Sequence, residues 1–158
     1  MENNLLTKEF VLQNGIDFEN LHGEYCSDLI LDKPEDKGGK PFTGLTYELY
    51  KNGQLQYYCY YKDGFEDGQY VEFYENGNVK SIQSIKRGRT NGEEKIWFQN
   101  GNLKSLAEYE LGICLNMKEW DIHGNVIKEK LNPTESDIKI LEKNRSFYEL
   151  CERTSNED

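Results

Sequence analysis

The chain has 158 residues, a formal net charge of −10, 36% hydrophobic and 13% aromatic residues, with 11 Tyr dominating the aromatic count. That length supports one domain with a moderate core. The charge makes the chain a poor direct binder of nucleic acid or anionic membrane and a suitable partner for a basic protein, and no stretch approaches the run of about 20 apolar residues that spans a bilayer.

The start, MENNLLTKEF, lacks a basic opening and an apolar run, so no signal peptide is expected and the expected location is cytoplasmic. The four cysteines, Cys26, Cys59, Cys114 and Cys151, form no C-x-x-C and have no zinc-finger spacing, so reduced thiols are expected. Residues 1–43 form an acidic segment with 4 Lys/Arg against 9 Asp/Glu. Within it, Asn14-Gly15 between apolar residues predicts a first hairpin or short strand pair. The stretch Tyr25–Lys33 reads as a strand, and Lys33–Pro41 reads as a loop of breakers.

Residues 44–131 are an internal repeat. Asn-Gly recurs at Gly53, Gly77 and Gly101 in steps of 24, and His123-Gly124 follows after 23. Gly64, Gly88 and Gly112 form a second series with the same step. Gly44, Gly68 and Gly92 form a third, whose next place holds Asn116, a residue that tolerates the left-handed conformation. Asn-Gly between alternating apolar stretches predicts tight two-residue type I′ hairpins. Asp63-Gly64 to Gly68 and its copies predict a second, longer turn. The predicted fold is mainly β: an elongated antiparallel meander of hairpin repeats with a period of 24.

With two-residue turns, one face carries Tyr50 with Leu55, Tyr74 with Val79 and Phe98 with Leu103, and then Tyr61, Ile85 and Tyr109. The other carries Leu49, Phe73, Trp97 and Trp120, with Tyr58, Ile82 and Leu106. Both faces are apolar, so at least one needs a cover.

Residues 132–158 supply one. Asn132 as N-cap, Pro133 at the first position and Glu135 in a capping box predict an amphipathic helix of roughly 18 residues. Ile138, Leu141, Tyr148 and Cys151 lie near one face, with Phe147 and Leu150 beside it. The helix is expected to cap the last hairpin, and residues 155–158 are expected to fray.

The run from Lys40 to Gly68, continued by Glu72 to Gly92, resembles the MORN-repeat-variant family. The Pro41–Gly44 opening and the Lys-Asp-Gly turn carry the likeness, which covers roughly Leu29 to Lys130. In bacteria that family includes YwqK-like antitoxin or immunity proteins. The resemblance implies a curled sheet of hairpins with no chemistry of its own, and a protein that neutralises a cognate toxin of nuclease or deaminase class by binding. A structural scaffold binding membrane lipid or another protein is the alternative it leaves, which the net charge disfavours for anionic lipid.

Catalytic, metal and cofactor sites are not expected. His22 and Cys26 lie close only in sequence, and His123 reads as a turn residue. The glycines fit turns and no nucleotide loop. The basic turn Lys86, Arg87 and Arg89 reads as solvated. Partner contacts are instead expected from the aromatic run Tyr57, Tyr58, Tyr60 and Tyr61, from Glu48 and Glu72 at one repeat position, and from Trp97. A homodimer through open sheet edges is a further expectation.

Overall fold

The computed structural model describes residues 4–154, so the expected fraying of residues 155–158 lies outside the described residues. In chain order the elements are α1 (Lys8–Asn14), β1 (Gly15–Asp17), β2 (His22–Gly23), β3 (Ile30–Leu31), β4 (Gly44–Leu49), β5 (Leu55–Lys62), β6 (Phe65–Phe73), β7 (Val79–Lys86), β8 (Arg89–Trp97), β9 (Leu103–Glu110), β10 (Ile113–Trp120), β11 (Val126–Lys130) and α2 (Glu135–Thr154). One nine-stranded sheet runs β1-β4-β5-β6-β7-β8-β9-β10-β11, and β2 pairs with β3 in a separate two-stranded sheet. From β4 to β11 every neighbour is the next strand in sequence, so the meander is as the glycine period predicts.

The two turn types are exchanged relative to the prediction. The tight two-residue turns are Asp63-Gly64, Arg87-Gly88 and Leu111-Gly112, where both φ values are positive and the flanking residues pair directly, as in Lys62 with Phe65. The Asn-Gly turns are three-residue loops: the Tyr50 amide donates to the Gln54 carbonyl, the Gly53 amide donates to the Tyr50 carbonyl, and only the glycine is left-handed, at φ 81° in Gly53. This is a type I turn closed by a left-handed glycine.

The third glycine series is neither turn. Gly68 and Gly92 sit inside strands at φ 128° and 113°, where three residues oppose one: Asp67–Gln69 against Tyr60, and Asn91–Glu93 against Ser84. The bulge aims the preceding side chain at the next unit's tight turn. The Asp63 amide donates to Thr43 Oγ1 at 2.9 Å, the Arg87 amide to Asp67 Oδ2 at 3.2 Å and the Leu111 amide to Asn91 Oδ1 at 2.9 Å. The glycine of each turn donates to the same region as well: Gly64 to Phe42, Gly88 to Glu66 and Gly112 to Thr90, each at 2.8 Å. Both amides of each tight turn are therefore satisfied by protein groups of the preceding turn region, where exposed turn amides otherwise rely on water. Asn116 departs from the prediction: its φ is not positive, and the irregularity there has one extra residue, Leu115.

A smaller bulge recurs beside each Asn-Gly loop and reassigns the faces. Glu48 pairs with Tyr57 but Leu49 with Leu55, leaving Gln56 extra; Lys80 and Lys104 are extra at the same place in later units. One extra residue reverses the side-chain alternation. Leu55, Val79 and Leu103 thus join Tyr58, Ile82 and Leu106 instead of Tyr61 and its copies. Tyr50 and Tyr74 instead reach the neighbouring unit, their hydroxyls donating to the carbonyls of Phe73 and Trp97 at 2.8 Å.

The flanks cover the two ends of the sheet. The predicted hairpin at Asn14-Gly15 is absent: Asn14 ends α1, and Gly15 opens β1, which pairs parallel with β4. Thr7 caps α1 by accepting the Phe10 amide. On what we term the back face, Leu5, Leu6 and Val11 pack on Leu45, Leu55, Tyr58 and Val71. On the front face, Phe18, Leu21, Ile30 and Phe42 pack on Cys59, Tyr61, Tyr57 and Tyr70. The predicted strand over Tyr25–Lys33 shrinks to the two residues of β3.

Helix α2 begins later than predicted. Thr134 is its cap, accepting the Asp137 amide, while Asp137 accepts the Thr134 amide at 2.7 Å. This reciprocal pair satisfies two donors and displaces Asn132 as the cap. Leu141 and Tyr148 pack on Leu111, Ile113 and Leu115. Asn144 Nδ2 donates to the Leu111 carbonyl at 3.1 Å, and Arg145 grips Glu110 through two nitrogens at 2.6 and 2.7 Å. Leu111 holds φ 48°, a strained value for a leucine, and the helix packs directly on it.

Candidate recognition surface

Cross-strand pairing lines up a single row over the front face: Glu48, Tyr57, Glu72, Ser81, Ile96, Ser105 and Glu119. The next row on that face holds Thr46, Cys59, Tyr70, Gln83, Glu94, Ala107 and Met117. Directly opposed residues share a face and touch, so these rows are physical neighbours. Tyr57 and Tyr70 stack with centroids 5.4 Å apart and planes 12° apart. Beyond them the floor is made of small residues, with Ser81, Ser105 and Ala107 buried between longer neighbours.

The carboxylates on this side are held in poor surroundings for charge. Burial raises the Glu48 pKa, and Asp17 and Glu19 nearby raise it further. Burial raises Glu94 and Glu66, the second opposed by a hydrogen bond from Tyr61. Glu72 is satisfied by Lys80 Nζ at 2.7 Å. Tyr109 is pushed up to about 12 by burial and then by Glu94. An acidic field over an aromatic and partly apolar floor favours a cationic partner.

The seven predicted contact residues do not form one surface. Glu48, Tyr57 and Glu72 are adjacent in the first row. Tyr58 is 0% exposed on the back face, where its oxygen accepts the Leu6 amide at 3.1 Å and its hydroxyl donates to Gln69; it is core and leaves the candidate set. Tyr61 is buried under Phe18 and Phe42 and leaves it too. Tyr60 and Trp97 lie on the back face. Sequence reasoning missed Tyr70, Glu94, Glu119, Ile96 and Met117. Stepping two residues back from Glu72 and then 24 forward reaches Tyr70 and Glu94, so the period itself held that signal.

His22 lies in β2 opposite Leu31. His123 occupies the fourth loop, its amide donating to Asp121 at 2.9 Å. Among the described residues no disulfide joins the four cysteines. Burial pushes the Cys59 thiol far up, which suppresses its thiolate. Arg87 lies over the Phe65 ring at 5.4 Å, and Lys86 pairs with Glu152 at 2.9 Å. Among the described residues no helix is long and apolar enough to cross a membrane.

A nine-stranded meander stapled through its turns, with side chains that differ from copy to copy in its rows, defines a hairpin-repeat protein. The chain belongs to the MORN-repeat-variant family. Residues 42–63, 66–87 and 90–111 match the family described as MORN repeat variant, and each match spans one hairpin and ends at the first residue of a tight turn. Over 149 residues the chain is 55% identical to Immunity protein YwqK of Bacillus subtilis (strain 168), covering 94% of this chain and 96% of that protein. No solved structure matches it significantly. Neither the family nor this relative is described as an enzyme.

Proposed function

We propose that this chain is an immunity protein that binds a cognate bacterial toxin and neutralises it by occlusion. The observation that carries this is the 55% identity, along nearly the full length of both chains, to a protein named as an immunity protein. The front face supports the manner of binding: Glu48, Glu72, Glu94 and Glu119 flank the Tyr57–Tyr70 stack and a floor of small residues. A toxin of nuclease or deaminase class must hold a polyanionic substrate, so its cleft is basic, and an acidic surface fits it by charge. Action in the cytoplasm of the toxin-producing cell belongs to the same reading. The open edge of β11, where Val126 and Ile127 are exposed, adds a route to a homodimer.

The test is co-expression with toxin domains encoded beside the gene. Growth should be rescued and a salt-sensitive complex should co-purify. Reversing Glu72→Lys together with Glu94→Lys should weaken that complex about tenfold or more while the melting curve stays in place. The reading is wrong if neighbouring toxins neither bind the chain nor lose toxicity in its presence.

A further inference from the structure

The back face repeats one apolar triad in three successive units. The first is Leu55, Tyr58 and Phe73; the second is Val79, Ile82 and Trp97; the third is Leu103, Leu106 and Trp120. In the first unit the triad is filled from within the chain. Leu5, Leu6 and Val11 lie on it, leaving Leu55 at 6% and Tyr58 at 0% exposure. Among the described residues the second triad has no such cover, and Val79, Ile82 and Trp97 are each half-buried. It lines a hollow of about 510 Å³ with Asn78, Asn100 and Gly101, and Leu5 forms its near wall. The hollow therefore begins at Leu5, on the same face and at the same repeat positions.

We propose that this hollow is a docking site for an apolar, leucine-bearing segment of a partner polypeptide. The occupant one unit earlier shows what this face accepts: two adjacent leucines laid across the triad. Charge bounds the site on the tight-turn side, where Lys95 replaces Val71 and is engaged by Glu93. At the loop end the amides of Asn78 and Asn100 supply a polar rim, as small binding clefts generally have. At the centre of the triad Ile82 stands where the first unit has Tyr58. The second site thus lacks the hydroxyl that accepts the Leu6 amide, and the leucine side chains carry its recognition. The site lies on the opposite side of the sheet from the acidic rows. A partner held there is independent of a basic partner on the front face.

The experiment uses the full chain carrying Trp120→Phe, so that Trp97 is the one remaining indole. A synthetic peptide copying residues 4–14 is the probe. The expected result is a saturable blue shift of Trp97 emission, absent with a peptide carrying Leu5→Ser and Leu6→Ser. The shift should weaken at least tenfold in Ile82→Asp, and also in the milder Val79→Ser should the aspartate variant fail to fold. Three results overturn the proposal. One is no saturable shift in a variant with an intact melting curve. Another is an equal shift with the serine peptide. The third is a concentration-dependent shift of the chain alone with dimers in sedimentation, which makes a second copy the occupant.

Discussion

The first and third repeat units share their turns and the hydrogen bonds to their tight-turn amides, yet one is sealed and the other is open. In the first, Leu55, Tyr58, Cys59 and Tyr61 are buried on both faces by the N-terminal segment. In the third, the copies Leu103, Leu106 and Tyr109 are half-buried, and only Ala107 is enclosed. The repeated part of the sequence therefore sets the backbone, and the unrepeated flanks set the burial. Amides satisfied from the preceding turn region hold each tight turn in place whether or not the unit's faces are covered. Hydrophobic stabilisation follows area removed from water, so it concentrates at the sealed end and around α2. The middle units are left free to vary their side chains for binding.

The widest gap between the two units is expected from core truncation. Tyr58→Ala should cost about 3–5 kcal/mol, because it removes a fully buried ring and strands the Leu6 amide. Leu106→Ala, at the same repeat position, should cost about 1–2 kcal/mol, since its site is already partly wet. Urea unfolding of both variants measures the difference. Equal costs would break the view that the flanks make the first unit special.

A second contrast lies in the bulge glycines. Both need positive φ, which strains any other residue by about 1–3 kcal/mol. A Cβ on Gly68 would lie 3.1 Å from Tyr60 Cβ, whereas one on Gly92 would lie 3.5 Å from Ser84 Cβ. Gly68→Ala is therefore expected near the top of that range and Gly92→Ala near the bottom. Thermal melts of the two variants should rank in that order, with Gly92→Ala unfolding at the higher temperature.

The glycines made the meander legible in the sequence because left-handed backbone and bulges demand glycine wherever the side chains drift. They did not tell which turn was tight, because Asn-Gly and Asp-Gly suit either geometry. The decision lies in Gln56, Lys80 and Lys104, extra residues that look ordinary in a strand and yet invert every face beyond them. The candidate site was half legible for the same reason. Glu48 and Glu72 were visible as a repeat position, but the burial of Tyr58 and Tyr61 depends on Leu5, Leu6 and Phe18, which sit in unrepeated sequence with no period to align them, and on Phe42, whose copies are the polar Glu66 and Thr90. At Asn14-Gly15 and at Asn132-Pro133 local signals lost to better partners: β4 took Gly15 into a parallel pair, and the Thr134–Asp137 reciprocal bonds moved the start of α2.

The smallest expected effect separates the two ends by the sign of their pH response. Glu66 sits under the first unit's cover, and burial raises its pKa above the ordinary carboxylate value. The folded state then binds that proton more tightly than the unfolded chain does. Its contribution is full below the unfolded value and is lost as pH rises through the folded one. Asp137 at the start of α2 behaves in the opposite way: hydrogen bonds from Lys130 and Thr134 pull it down to about 2. Its contribution is present above the unfolded carboxylate value and is lost as pH falls through about 2. Arg145 lowers Glu110 in the same direction. Glu66→Gln should therefore raise Tm at pH 7 by about 2 °C and change little at pH 4, and Asp137→Asn should lower Tm at pH 7 by a similar amount. Hydrogen exchange at the two pH values would localise the change, with β5 and β6 more protected in acid and α2 less so. If both ends respond to pH with one sign, the burial of Glu66 is not what distinguishes them.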